Sequence, residues 1–142
     1  AGTGIVHAEY NLEPDETQIF QIWIEPGKRG AEPGWAQRAF NDVGRNAFKV
    51  LASGRDRDRD SDALPIYQDA AVIGGRFDAG QETTYTVEAD RLAYMVANEG
   101  ILTVNGEKAT ARDGIAISAG ETVTIKAETA VELVLVDVPE HA

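Results

Sequence analysis

The chain has only two histidines for metal or acid–base chemistry, and His7 with Glu9 is the most suggestive pair. They stand two apart in an apparent strand, and side chains at that spacing share one face. Imidazole and carboxylate together suit a first-row divalent metal with positions left open for substrate. The competing reading is a hydrogen-bonded core histidine beside an incidental glutamate. Two donors do not make a stable site, which needs one or two more. The only other imidazole is His141, the penultimate residue. A Ser-His-Asp arrangement would therefore have to run through His7, and a site of several histidines from this chain is excluded. The absence of cysteine removes disulfides, thiolate metal sites and cysteine nucleophiles.

Other constellations are weaker. Asp56, Asp58 and Asp60 alternate like the first ligands of a calcium loop, but Ser61 and Tyr67 occupy the places where such a loop needs glycine and glutamate. Arginines sit between those carboxylates, so the segment Arg55–Asp62 reads as a solvated loop that cannot enter a core. Gly2-Thr3-Gly4 leads into an apparent strand, whereas a phosphate cradle needs a helix N-terminus behind it. Asp78 and Glu82 flank the Ala79-Gly80 turn and read as solvated turn carboxylates or, less simply, as an acid–base pair. Trp35, Arg38 and Phe40 read as a loop anchor, with a ligand lip as the alternative.

The elements that must position these residues are strands. Thr122 to Ala127 alternates with period two, and Ala79-Gly80, Glu99-Gly100, Asn105-Gly106, Asp113-Gly114 and Ala119-Gly120 punctuate the second half. Asn105-Gly106 is the strongest hairpin signal, because a type I′ turn needs two residues that tolerate positive φ. The pattern predicts strands near 5–11, 18–25, 47–52, 64–69, 71–78, 83–87, 92–97, 101–105, 115–118, 122–127 and 131–136. The one predicted helical turn is at 35–40. Short strands at this spacing argue for an antiparallel all-β sandwich or barrel. Ile19 to Ile24 is apolar on both strand faces, which predicts a covering domain or subunit.

Composition sets the outer limits. The 142 residues are one domain's worth, with 43% apolar and 26% charged residues. The net charge of −11 opposes nucleic acid and anionic lipid as partners. No apolar run is long enough to span a bilayer as a helix. No signal-peptide layout opens the chain, and the expected location is cytoplasmic. The first residue is Ala1 and not methionine, as in a processed protein or a fragment.

The segment Ala1-Gly2-Thr3-Gly4-Ile5-Val6-His7-Ala8-Glu9-Tyr10-Asn11 resembles the metal-ligand strand of the pirin family, bicupins that include quercetin dioxygenase-like enzymes. Phe20-Gln21-Ile22-Trp23-Ile24-Glu25-Pro26 resembles that family's interdomain strand. Gln68-Asp69-Ala70, Phe77-Asp78-Ala79-Gly80 and Leu102-Thr103-Val104-Asn105-Gly106 resemble its C-terminal half. The resemblance implies an all-β antiparallel cupin (jelly-roll) barrel with an N-terminal strand arm. It divides the chain into an arm at 1–26 that bridges to an N-terminal cupin, an irregular linker at 27–45 and a C-terminal cupin barrel at 46–142. It makes His7 and Glu9 two of four metal ligands, with Glu9 also a base, and an absent His-x-His pair the other two. The implied cofactor is iron, nickel or copper, and the implied parent chemistry is dioxygen attack on a flavonol-like substrate. Thr83, Thr84, Tyr85 and Thr86 stand where a metal-binding cupin carries histidines, so the barrel itself is expected to be metal-free. The chain alone is then expected to be inactive, its partner a missing N-terminal cupin or a second subunit reached through Ile19–Ile24. If only this chain exists, it is expected to form a homo-oligomer. The alternative is a non-catalytic cupin that serves in binding, regulation or oligomerisation.

Overall fold

The computed structural model describes residues 3–41 and 43–141. Ala1 and Gly2, which open the first quoted motif, lie outside the described residues, as do Asp42 of the linker and Ala142. Among the described residues, ten strands form two sheets: β1 Ala47–Ser53, β2 Leu64–Pro65, β3 Ala71–Phe77, β4 Glu82–Thr86, β5 Arg91–Glu99, β6 Ile101–Val104, β7 Glu107–Thr110, β8 Gly114–Ile117, β9 Thr122–Ala127 and β10 Val131–Pro139. One sheet runs β2-β1-β3-β10-β5-β8 and the other β4-β9-β6-β7. Every pairing is antiparallel except β1 with β2, which is parallel at the sheet edge.

Inward side chains of the two sheets meet in one core. Ile73, Met95, Leu133 and Leu135 come from the larger sheet, and Leu102, Val104, Val123 and Ile125 from the smaller. All are buried. Phe48 packs edge-on against Phe77 and Tyr85, with ring centroids 5.3 and 5.5 Å away, a favoured aromatic geometry. Gly75 makes room for this trio: a Cβ there would lie 2.6 Å from the Phe77 ring. The core is therefore filled by side chains and holds no imidazole.

The Asn105-Gly106 hairpin forms as expected. Asn105 and Gly106 have φ of 50° and 85°, and Val104 pairs with Glu107 across them. Its second strand, β7, was not among the predicted elements, because Glu107-Lys108 reads as polar turn. Only Ala109 of β7 is buried, so one apolar residue is all that marks it. The strand expected at 64–69 shortens to Leu64–Pro65. After it the backbone turns at Gln68, whose carbonyl accepts from the Ala70 N–H.

Three expectations need correction. Residues 5–11 and 18–25 form no strand, and 35–40 forms no helical turn. A strand exists by its ladder, and nothing in the described residues pairs with the N-terminal segment. It touches the body at a few points: the Gly27 N–H donates to the Tyr67 carbonyl, and Gln68 Nε2 donates to the Glu25 carbonyl. The helical turn that does form is Asp56–Asp58, inside the segment expected to be a solvated loop.

The contrast in burial gives a stability test. Trp23 is 87% exposed, whereas Leu135 is fully buried. In the 142-residue chain, Leu135→Ala should cost about 2–5 kcal/mol, and Trp23→Ala should change stability by less than about 0.5 kcal/mol. Urea unfolding of the two variants checks this. A loss of several kcal/mol at Trp23 would mean that the segment packs onto the body in solution.

Candidate functional site

His7 and Glu9 do lie together. His7 Nδ1 is 3.7 Å from Glu9 Oε1, and both side chains are more than half exposed. Their closeness follows from two-residue spacing in the chain and needs no ladder. Two donors on one divalent ion, each about 2.0–2.2 Å from it, can stand no more than roughly 4 Å apart. The pair fits that limit and supplies the right chemistry, but it supplies only two donors. Among the described residues, no group of three His, Cys, Asp or Glu side chains could hold a metal. His141 is exposed and forms no such group with them.

The surroundings of the pair are apolar and open. Val6, Tyr10, Leu12, Ile19 and Trp23 are all exposed in the same N-terminal segment. Further along, Ile22, Ile24 and Trp35 line a groove of about 540 Å³ with Ala52, Leu64 and Val72 of the larger sheet. Of the Trp35, Arg38 and Phe40 group, two act as anchors. Arg38 donates to the Asp62 carbonyl, and Lys49 Nζ sits 5.7 Å over the Phe40 ring. Trp35 stays exposed on the groove.

Three of the remaining carboxylate candidates, Asp56, Asp58 and Asp78, are occupied. Asp78 accepts from Arg45 Nε and Nη2 at 2.8 and 2.9 Å and from Asn46 Nδ2 at 3.0 Å. Those donors hold its carboxyl below the usual range, so it is no general acid for Glu82. Asp56 accepts from Arg59, and Asp58 from Arg55 and Ser53. Asp56 and Asp58 of the alternating aspartates are thus committed to side-chain donors.

The residues that sequence reading missed are charged and buried. Asp137, on β10, is 1% exposed and faces inward at one end of the barrel. Tyr85 Oη donates to its Oδ2 at 2.6 Å, and Arg91 Nε donates to its Oδ1. Arg55 Nη1 lies 3.5 Å from Oδ2 and is buried without a hydrogen bond. Arg91 also holds Asp69, through Nη1 to Oδ2 at 2.9 Å and Nη2 to the carbonyl at 2.8 Å. Arg55 is only 6% exposed, which corrects the expectation that its whole segment stays in solvent. The local reason is the anchor at Asp58: Ser53 Oγ and Arg55 Nε both donate to its Oδ2 at 2.6 Å. Tyr85 stands where histidine was sought. Burial and then the Asp137 carboxylate push its phenol well above the ordinary range, so it stays a neutral donor. The sequence signal for this cluster was an Asp at an inward, otherwise apolar position of VELVLVDV.

This cluster joins strands through the buried groups Arg55, Arg91 and Asp137, so its effects should appear in stability. Asp137→Asn should cost about 3–5 kcal/mol, because breaking a buried pair leaves guanidinium charge uncompensated. Urea unfolding measures it, and a loss below 1 kcal/mol would mean that the cluster is hydrated. Asp58 gives a pH signature. Burial pushes its carboxyl up, but the Arg55 and Ser53 hydrogen bonds together outweigh that and hold it below the usual value. Its contribution is full above the unfolded pKa of about 4 and is lost as pH falls through the depressed folded value. Unfolding free energy between pH 7 and pH 3 should therefore decline less steeply for Asp58→Asn than for the unsubstituted chain. Equal slopes would refute the assignment.

Comparison with known proteins converges on one family. The chain is 49% identical over 138 residues to a pirin-like protein of Caulobacter vibrioides, covering 96% of this chain and 59% of that one. It is 32% identical over 140 residues to the quercetin 2,3-dioxygenase of Escherichia coli K12, covering 98% and 58%. Among solved structures, YhhW from Escherichia coli superposes with a TM-score of 0.73 at 28% identity, over 82% of this chain and 48% of that one. The bacterial pirin YhhW in complex with nickel(II) superposes at 0.70 and 26% identity, over 80% and 47%. The chain thus spans less than two thirds of the length of these relatives. The quercetinase C-terminal cupin domain model matches residues 50–138, which takes in most of the two-sheet body just described, and the chain belongs to that pirin-like cupin family.

Proposed function

We propose that this chain is the C-terminal portion of a pirin-like metal bicupin and that it contributes half of a metal site. In this reading residues 1–26 are an arm belonging to an N-terminal cupin, 27–45 a linker and 46–142 the C-terminal barrel. One observation carries it: the His7 and Glu9 donors, 3.7 Å apart, stand exposed on an unpaired segment outside the filled barrel. The relatives' greater length supports a source for two further ligands, and the nickel(II) complex of YhhW supports a divalent transition metal.

His7 and Glu9, with two ligands from elsewhere, would hold a divalent iron, nickel or copper ion, which would supply Lewis-acid chemistry toward substrate oxygens. The His7 imidazole must be neutral to bind it. The Glu9 carboxylate serves as ligand and, toward a substrate hydroxyl, as proton acceptor. The parent's reaction is then dioxygen attack on a flavonol-like molecule, in keeping with the quercetin 2,3-dioxygenase relative. The chain alone, with two donors, is catalytically inactive.

The test uses nickel(II) and iron(II) as probes. The full-length gene product should retain about one metal per chain after dialysis, read by inductively coupled plasma mass spectrometry. His7→Ala and Glu9→Gln should each lower that content at least tenfold, and the 142-residue chain should retain little. Quercetin consumption by the metal-loaded gene product reads the activity. A fully loaded protein that leaves quercetin intact would replace the enzyme reading with that of a metal-dependent binding or regulatory cupin. Metal retention unchanged in both variants would remove His7 and Glu9 from the site.

A further inference from the structure

The edge of a β-sheet is a row of unpaired N–H and C=O groups, and folded proteins protect it with charge, proline, brevity or a bulge. Four strands are edges here: β2 and β8 of the larger sheet, β4 and β7 of the smaller. Three of them carry such protection. β2 is two residues long and contains Pro65. β4 carries Glu82. β7 carries Glu107 and Lys108, and its Thr110 N–H donates to Asp113 Oδ2 at 2.8 Å. β8 has none of these devices. Its residues are Gly114, Ile115, Ala116 and Ile117. Its register with β5 runs unbroken, and among the described residues β5 is its only strand partner.

The flanks of this edge suit an added strand. On the outer face β8 shows Gly114 and Ala116, both exposed. The Tyr94 ring lies across Gly114, where a Cβ would collide with its hydroxyl. On the inner face Ile115 opens onto a groove of about 450 Å³, lined also by Val104, Ala109 and Val123 of the smaller sheet. Arg112 precedes the strand, exposed and without an ion pair among the described residues. Its neighbour Asp113 is turned to the N–H and hydroxyl of Thr110. Beyond the other end, the Glu121 carboxylate is fixed on the Ser118 N–H at 3.1 Å. Opposite charges thus stand at the two ends of an uncharged strand.

That arrangement is complementary to itself. Two β8 strands paired antiparallel about a two-fold axis perpendicular to the sheet keep like faces together. With Ala116 at the axis, Ala116 opposes its own copy, Ile115 opposes Ile117 beside the groove, and Gly114 opposes Ser118. Arg112 of each copy then stands at the turn that carries Glu121 of the other. The net charge of −11 acts against a second copy at long range. Physiological salt of about 0.15 M screens charges beyond about 8 Å, and at the contact itself opposite charges meet.

We propose that the β8 edge is the pairing surface for the β8 edge of a second copy of this chain, which joins the two larger sheets into one. The edge lies at the far end of the larger sheet from β2 and the arm groove. The inference therefore rests on neither the bicupin reading nor the metal site.

An edge contact of this size belongs to the small, weak class of interfaces. In about 0.15 M salt, sedimentation velocity of the 142-residue chain up to about 1 mM should show a monomer–dimer equilibrium. Ala116→Lys sets two like charges against each other at the axis and should weaken the dimer at least tenfold, and Arg112→Glu at least threefold. Trp23→Ser, on the exposed arm, should leave it unchanged. The chain has no cysteine, so introduced thiols report without background. Ala116→Cys oxidised with copper phenanthroline should form a covalent dimer at least tenfold faster than Thr84→Cys, which is exposed on the smaller sheet. A chain that stays monomeric, a dimer indifferent to Ala116→Lys, or equal cross-linking at 116 and 84 would overturn the proposal. Loss of the dimer in Trp23→Ser but not in Ala116→Lys would assign association to the arm and also overturn it.

Discussion

A carboxylate buried at one end of the barrel sets conditions that much of the body meets. Asp137 lies in a row where Ala71, Asp137, Ala93 and Ile117 are register partners, and a lone charge there would be prohibitively costly. Its compensation comes from three separate places: Tyr85 of β4, Arg91 at the start of β5 and Arg55 beyond the end of β1, while Asp69 holds the far side of Arg91. Each partner fixes a strand end or a connection. The Arg55 turn is fixed in addition by Asp58, and Arg57 of the same turn pairs with Glu88 after β4. Electrostatic satisfaction of one group thus aligns both sheets at that end, and the apolar layers above it fill the rest.

That filling explains why the barrel and the candidate site are separate. A cupin barrel can hold a ligand only if its interior keeps donors and space. Here the interior positions are Met95, Leu102, Val123, Ile125 and Leu135, closed at the side by the Phe48, Phe77 and Tyr85 rings. The His7 and Glu9 pair stands on the N-terminal segment, outside the matched domain. The chain accordingly combines a filled two-sheet scaffold with an arm whose His7, Glu9, Val6, Leu12 and Trp23 side chains stand exposed. The sheets differ as well: the smaller shows threonine and lysine outward, the larger valine and tyrosine with the Arg76–Glu132 ion pair at one end.

Much of the scaffold was legible in the sequence. Period-two alternation marks β9 residue for residue, and the Asn105-Gly106 turn fixes the β6–β7 hairpin, because both signals are local. The resemblance to pirin-like cupins rested on contiguous motifs and is borne out by the family match. The expected strands at 5–11 and 18–25 were not, because a strand is completed by its neighbour and alternation cannot say whether one is present. The Arg55–Asp62 segment was misread for a related reason. Charge composition reports a preference for water, whereas Arg55 is buried beside a carboxylate 82 positions away in sequence.

The sequence by itself determined the fold class, the turn positions, the absence of cysteine chemistry and the nearness of His7 to Glu9, since each depends on residues adjacent or nearly adjacent in the chain. Tertiary structure alone decided which charges are buried together, which sheet shows valine and tyrosine outward, and that the barrel interior is full. Those outcomes depend on pairings between residues far apart in the chain. The free energy of burying a charge or exposing a valine belongs to the assembled surroundings and not to the residue.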